Sequence, residues 1–159
     1  MVSLKLVVVG KIKESFFKEE INEYLKRLQK YSKVTILEVD DEKIKEKASN
    51  KEEDIVKEKE GQRLLKQIKD TDYVILIDLH GREKDSLEFS EDFLQIMNKN
   101  SSIAIVIAGS LGFSQAVIQR ANYRLCLSKL TFTHQMTRVI VLEQIYRAFK
   151  IINNEVYHK

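Results

Sequence analysis

The sequence has one cysteine, no tryptophan and no proline among its 159 residues. The single cysteine, Cys126, excludes an internal disulfide framework, and the three scattered histidines give no recognisable zinc-ligand spacing. The longest apolar runs, at residues 74–77 and 103–108, are far shorter than the roughly 20 residues that a membrane-spanning helix needs. The first residues lack the pattern of a signal peptide. These absences predict a cytoplasmic protein with no structural metal and no membrane anchor.

The net charge is small, at +3, but it is unevenly distributed. From residue 109 onward there are seven Lys or Arg against two Glu, whereas the first 108 residues carry 20 basic and 22 acidic residues. Basic charge is therefore concentrated in the last third of the chain, where a polyanionic partner would be attracted. Such an asymmetry alone more often reflects chance or solubility than RNA binding.

Apolar runs alternate with amphipathic segments along the chain. The runs are typical of buried strands and lie at residues 4–9, 34–39, 73–79, 103–108 and 123–127. Helical spacing of apolar residues marks residues 15–29, 51–68, 87–98, 115–120 and 135–152. Ser86 and Ser114 are plausible caps for two of these helices. The alternation predicts one α/β domain over residues 1–159, a parallel sheet with helices on both faces.

Three strand ends have distinctive loops, at residues 78–81, 108–112 and 127–132. In such sheets ligands bind outside the carboxyl ends of the strands. No GxGxxG or GxxxxGK[ST] motif is present, so neither a dinucleotide site nor a P-loop is supported. The third loop has Lys129 as its only charge, with small polar and apolar neighbours. This composition favours a loop that wraps a neutral aromatic ring over one that cradles phosphates.

The last predicted helix follows His134 and has several polar residues among its apolar ones. Glu143 and Arg147 are spaced i, i+4 along it. From the pattern alone, a surface ion pair worth about a few tenths of a kcal/mol is about three times likelier than a catalytic pair.

The tract SKLTFTHQMTRVIVLEQIYRAFKI, with the terminal VYHK, resembles the signature of the RlmH family, the smallest SPOUT methyltransferases. The tracts VIAGSLGF, IDLHGRE and EKEGQRLL also match that family, and the similarity extends over essentially the whole chain. The resemblance implies an α/β fold with a C-terminal trefoil knot. It further implies a homodimer that uses S-adenosylmethionine to methylate ring nitrogen 3 of a pseudouridine in 23S ribosomal RNA, within the assembled 70S ribosome.

The resemblance also implies a set of site residues. The cofactor would contact Leu76, Ala108, Gly109, Leu127, Ser128, Lys129, Leu130, Thr131 and Phe132. The candidates for the general base that removes the proton of the target nitrogen are His134, Glu143 and His158. Negative charge on the uracil oxygens would be stabilised by Arg138, Arg147 or Lys159, and Tyr157 offers a stacking ring. No metal is expected.

The chain departs from the family pattern at three positions. Ala108 replaces the first of two glycines, which could weaken cofactor binding. Thr133 replaces a proline before the motif histidine, so we expect a less rigid entry into the last helix. Asn154 replaces a glycine, a mild change because asparagine is the next-best residue for a positive φ angle.

Two other interpretations compete with a methyltransferase. A non-catalytic, ribosome-associated RNA-binding protein could retain the fold and lose the cofactor, and Ala108 is the only feature in its favour. An unknotted, phosphate-handling enzyme would need a glycine-rich turn after the first strand, whereas residues 10–13 read GKIK.

Overall fold

The computed structural model describes residues 1–157. Within that range five strands alternate with five helices. The strands are β1 (Ser3–Val9), β2 (Lys33–Val39), β3 (Tyr73–Glu83), β4 (Ser102–Ile107) and β5 (Tyr123–Cys126). The helices are α1 (Ser15–Leu28), α2 (Asn50–Lys66), α3 (Ser86–Lys99), α4 (Gln115–Arg120) and α5 (His134–Ile152). None of the helices in this range is long and apolar enough to cross a membrane.

The strands form one sheet in the order β2-β1-β4-β3-β5, and every neighbouring pair is parallel. The predicted parallel sheet is confirmed. The prediction that the third strand ends at residue 79 is wrong, because β3 resumes pairing with β5 at Arg82 and Glu83. Leu125 pairs with both Ile77 and Arg82, so residues 78–81 loop out between these pairings.

Each face of the sheet is covered by helices. Alternate residues of β1 point to opposite faces, as the period of a strand requires. Leu6 and Val8 join the core with α1, α3 and α5, whereas Val7 and Val9 join the core with α2 and α4. This arrangement confirms the predicted helices on both faces. The trefoil knot stays a prediction from the family resemblance.

The sequence suggested two helix caps, of which one is confirmed and one is wrong. Ser114 caps α4, since its side chain accepts a hydrogen bond from the Val117 amide. The expectation for Ser86 is wrong: Asp85 caps α3 in a reciprocal capping box with Glu88. The Ser86 hydroxyl instead donates to Gln144 of α5, at 2.9 Å.

The C-terminal end of α5 confirms the expectation for Asn154, whose φ angle is +53°. The Asn154 amide donates to the Ile151 carbonyl, and the Glu155 amide donates to the Lys150 carbonyl. These two bonds form a Schellman motif, which requires a residue in the left-handed region at this position.

Helix α2 lies very close to the segment that follows β4. Gly61 is buried inside α2, and a Cβ atom added there would overlap the Ser114 hydroxyl and lie 3.3 Å from a Val117 methyl group. Glycine is otherwise unfavourable within a helix by about 1 kcal/mol relative to alanine. Close approach to α4 therefore explains why glycine is present here.

We predict that Gly61→Ala lowers the free energy of unfolding by about 1–3 kcal/mol, because overpacking against Ser114 outweighs the gain in helix propensity. Urea denaturation measures the change. Lys59→Ala, at an exposed position of the same helix, is the control and should stay within about 0.5 kcal/mol of wild type. A stabilised Gly61→Ala variant would contradict the close approach.

Candidate functional site

A cavity of about 1080 Å³ lies at the carboxyl ends of β3, β4 and β5. Its walls include part of the looped-out β3 segment, residues 107–115 and most of residues 127–134. Helix α2 adds Asp54, Lys57 and Glu58. The volume is at the upper end of the roughly 300–1,000 Å³ of small-molecule sites. The three loops singled out by the sequence therefore meet around one space.

Most of the residues expected to contact a cofactor line this cavity. They are Ala108, Gly109, Leu127, Ser128, Leu130, Thr131 and Phe132. Leu76 does not, because its side chain is fully buried in the core beneath α2 and α4, and its neighbour Ile77 lines the wall instead. Lys129 also lies outside the lining. Its ammonium group is exposed and lies 3.7 Å from Glu83.

The turn after β4 is pressed against α2. A Cβ atom at Gly109 would lie 2.8 Å from the buried Glu60 carboxylate and 3.2 Å from a Val9 methyl group. Burial raises the pKa of Glu60. A side chain at position 109 would therefore force the Glu60 carboxylate to move. Ala108, the departure from the family pattern, is half-buried and lines the cavity.

The segment after β5 presents apolar side chains to the cavity and to solvent. Leu130 is 75% exposed and Phe132 is 42% exposed, and Leu79 across the cavity is 50% exposed. The Ser128 hydroxyl accepts a hydrogen bond from the Leu130 amide at 3.0 Å, which fixes the turn between them. Clustered exposed apolar groups beside a cavity indicate a site for a ligand or partner with an apolar surface.

His134 begins α5 and lines the cavity. Its ring packs against Gly10, and its Nδ1 atom is buried with no hydrogen-bond partner among residues 1–157. Burial, together with the charge of Arg138, lowers the pKa of His134 below 6.5. The predicted loss of rigidity at Thr133 is offset by capping, because the Thr133 hydroxyl accepts a hydrogen bond from the Met136 amide at 3.3 Å.

Arg138 lies outside the cavity lining, and only 1% of its side chain is exposed. One guanidinium nitrogen lies 2.6 Å from a Glu38 carboxylate oxygen, and the other donates to the Gly10 carbonyl at 3.2 Å. In this arrangement Arg138 anchors α5 to the ends of β1 and β2 rather than facing a substrate. No local pattern in the sequence pointed to Glu38, which is 100 residues away.

Three of the polar residues near the C-terminus form a cluster. Glu143 Oε1 accepts hydrogen bonds from Arg147 at 2.5 Å and from the Tyr157 hydroxyl at 3.1 Å. The Arg147 guanidinium lies 4.8 Å from the centroid of the Tyr157 ring, a cation–π contact. The ion pair expected from the i, i+4 spacing is thus present and has a third partner. His158 and Lys159 lie outside the described residues.

This C-terminal cluster of Glu143, Arg147 and Tyr157 is not part of the cavity lining. Glu143 is nine positions after His134 in α5, which is about 13 Å at 1.5 Å per residue. The structure therefore brings His134 to the loops that line the cavity and places Glu143 and Tyr157 elsewhere on the same chain.

We predict that His134 makes the protein less stable at mildly acidic pH. Because folding lowers the pKa of His134, the unfolded chain binds more protons between that lowered pKa and about 6.5, so the free energy of unfolding falls as pH falls through this window. Denaturation at pH 7.5 and 5.5 should show a smaller loss for His134→Gln than for wild type. His80→Gln, at an exposed histidine, should behave like wild type; an unchanged pH dependence in His134→Gln would refute the prediction.

Comparisons with known proteins agree with this geometry. Residues 2–158 match the family model described as "Predicted SPOUT methyltransferase". The chain is 55% identical over 159 residues to "Ribosomal RNA large subunit methyltransferase H" of Clostridium acetobutylicum, with 99% of each protein covered. It is 54% identical over 158 residues to the protein of the same name from the Hall strain of Clostridium botulinum, again with 99% of each covered.

A solved structure resembles the fold at much lower sequence identity. It is titled a "probable methylase family protein" from Haemophilus influenzae, with a TM-score of 0.53 and 14% identity, and the match covers 98% of this chain and 70% of that one. The full-length sequence match and the five-stranded parallel sheet lead to one conclusion. The chain belongs to the SPOUT methyltransferase family.

Proposed function

We propose that this protein transfers a methyl group from S-adenosylmethionine to ring nitrogen 3 of a pseudouridine in 23S ribosomal RNA, in the cytoplasm and on assembled ribosomes. The observation that carries the proposal is the cavity where the loops after β3, β4 and β5 meet, within a chain 55% identical to a protein named as a ribosomal RNA large subunit methyltransferase. Because that relative is named as an enzyme, catalysis is favoured over a non-catalytic RNA-binding role.

The chemistry of the cavity suits S-adenosylmethionine. Leu79, Leu130 and Phe132 offer apolar surface for an uncharged adenine ring. The His134 ring, whose pKa is lowered, lines the same cavity and adds no permanent charge to it. Within the described part of the chain, the lining has no cluster of lysines and arginines of the kind that a polyphosphate would require. The residues after the three strands would hold the cofactor.

The protein's main catalytic task is to position the reactants. Bound S-adenosylmethionine supplies an electrophilic methyl group, and the loops align it with the target nitrogen. That nitrogen carries a proton, which a general base within hydrogen-bond reach removes. Of the three candidate bases, His134 lines the cavity and is neutral at pH 7 because its pKa is lowered. Glu143 is already bonded to Arg147, Gln144 and Tyr157. Of the two candidates that the structure describes, we therefore assign removal of the proton to His134.

A homodimer would reconcile the cavity with the C-terminal cluster. Within one chain the cluster lies about 13 Å along α5 from His134, too far for Tyr157 to stack on a base held at the cavity. A second protomer that places its Tyr157 and Arg147 over the cavity of the first would complete the site. A stacking ring and a fixed guanidinium suit a flipped-out RNA base and its uracil oxygens.

We predict that deleting residues 157–159 abolishes methylation while leaving S-adenosylmethionine binding nearly unchanged, because Tyr157 lies outside the cavity lining. Mass spectrometry of 23S ribosomal RNA, from ribosomes incubated with enzyme and cofactor, measures the methylation, and isothermal titration measures the binding. Val156→Ala, at a fully exposed neighbour, is the control and should retain activity. A truncated protein with most of its turnover would rule out a role for the tail.

We also predict that two inactive variants restore activity when they form mixed dimers. One is the deletion of residues 157–159. The other carries Gly109→Val, which places methyl groups against Glu60 and should disrupt the turn after β4. In a mixed dimer the chain with the deletion has an intact cavity, and the chain with Gly109→Val has an intact tail. Co-expressed chains should therefore recover a fraction of wild-type activity, whereas either variant alone should have none. No recovery in purified mixed dimers would contradict a site shared between protomers.

A further inference from the structure

The wall of the cavity formed by α2 has a lysine, which the rest of the lining within residues 1–157 lacks. Lys57 is the only lysine or arginine that lines the cavity within residues 1–157. Its side chain is 30% exposed, and its ammonium group lies 3.3 Å from Asp54 on the same helix. Glu58 lines the same wall. The α2 wall, defined by Asp54, Lys57 and Glu58, therefore presents one cation between two carboxylates.

The position of this wall is fixed by tight packing rather than by its own charges. Three to four residues further along α2, Glu60 is buried beneath Gly109, and Gly61 abuts Ser114. Glu60 also accepts a hydrogen bond from the Glu42 amide at 3.0 Å. Because the turn after β4 rests on these two residues, the preceding turn of α2 is held at the edge of the cavity.

The α2 wall and His134 reach the cavity from opposite faces of the sheet. Helix α2 packs on the face with α4, and α5 packs on the face with α1 and α3. A ligand that extends from His134 and the apolar loop to α2 must therefore have an uncharged end and a charged end. S-Adenosylmethionine has both, an adenine ring at one end and an α-amino acid group at the other.

Resting on the proposed function, we infer that Lys57 binds the α-carboxylate of S-adenosylmethionine, with Asp54 and Glu58 placed to receive the α-ammonium group. A lysine ammonium group has three donors, so Lys57 can keep its bond to Asp54 and still donate to the cofactor. The lining within residues 1–157 offers the carboxylate no other permanently charged cation. Lys57 is in this account a specificity residue that recognises the amino acid end of the cofactor.

The test compares two ligands that differ only in this carboxylate, S-adenosylmethionine and its decarboxylated form. We expect Lys57→Gln to bind S-adenosylmethionine about tenfold more weakly than wild type, as for loss of a charge-assisted hydrogen bond. Its affinity for the decarboxylated ligand should be unchanged within about twofold. Lys59→Gln is the matched control, because Lys59 is exposed on the same helix and outside the lining. It should bind both ligands like wild type.

Isothermal titration measures each dissociation constant, and thermal melting of the variants checks the fold. A Lys57→Gln variant that binds S-adenosylmethionine as tightly as wild type, or that loses both ligands equally, would overturn the inference about Lys57 while leaving the proposed function intact. A wild-type protein that binds neither ligand would overturn the proposed function and the inference with it. Selective loss of the carboxylate-bearing ligand supports both.

Discussion

The ion pair between the buried Arg138 and the exposed Glu38 fixes the position of the N-terminal end of α5, and the candidate site depends on that position. A guanidinium group removed from water destabilises the fold unless its donors are paired. Here Glu38 and the Gly10 carbonyl pair two of its three nitrogens, and Nε has no partner within residues 1–157. The two bonds hold the start of α5 over the ends of β1 and β2. The seven residues between β5 and α5 then have to cross the carboxyl edge of the sheet. Their apolar side chains are left beside the cavity, where a ligand can cover them.

The same helix divides the functional groups between two places. Its first residue, His134, lines the cavity, and its second half holds Glu143 and Arg147 against Tyr157. A rigid helix keeps these groups about 13 Å apart. One chain can therefore present the proposed cofactor site at one end of α5 and the cluster proposed to contact RNA at the other. A second protomer is the simplest way to bring them together, which gives the proposed homodimer a chemical reason.

Local patterns in the sequence predicted the elements and the three loops, because strand periodicity, helix periodicity and glycine positions are local properties. They missed features that depend on distant residues. The extension of β3 to Glu83 requires pairing with β5, and the burial of Arg138 requires Glu38 from another strand. The sequence around Lys57 is mostly polar, a pattern that is typical of a helix exposed to solvent. Only the packing of Gly61 and Glu60 beneath the turn after β4 brings Lys57 to the cavity.

The central claim is that the loops after β3, β4 and β5 enclose a methyl donor. A crystal structure of the protein with S-adenosylhomocysteine, the demethylated product of the cofactor, tests it most directly. We expect the adenine ring to lie against Leu130 and Phe132, and the sulfur atom to lie in the cavity that His134 lines. Electron density for the ligand at any other surface, or an empty cavity at saturating ligand, would contradict the account.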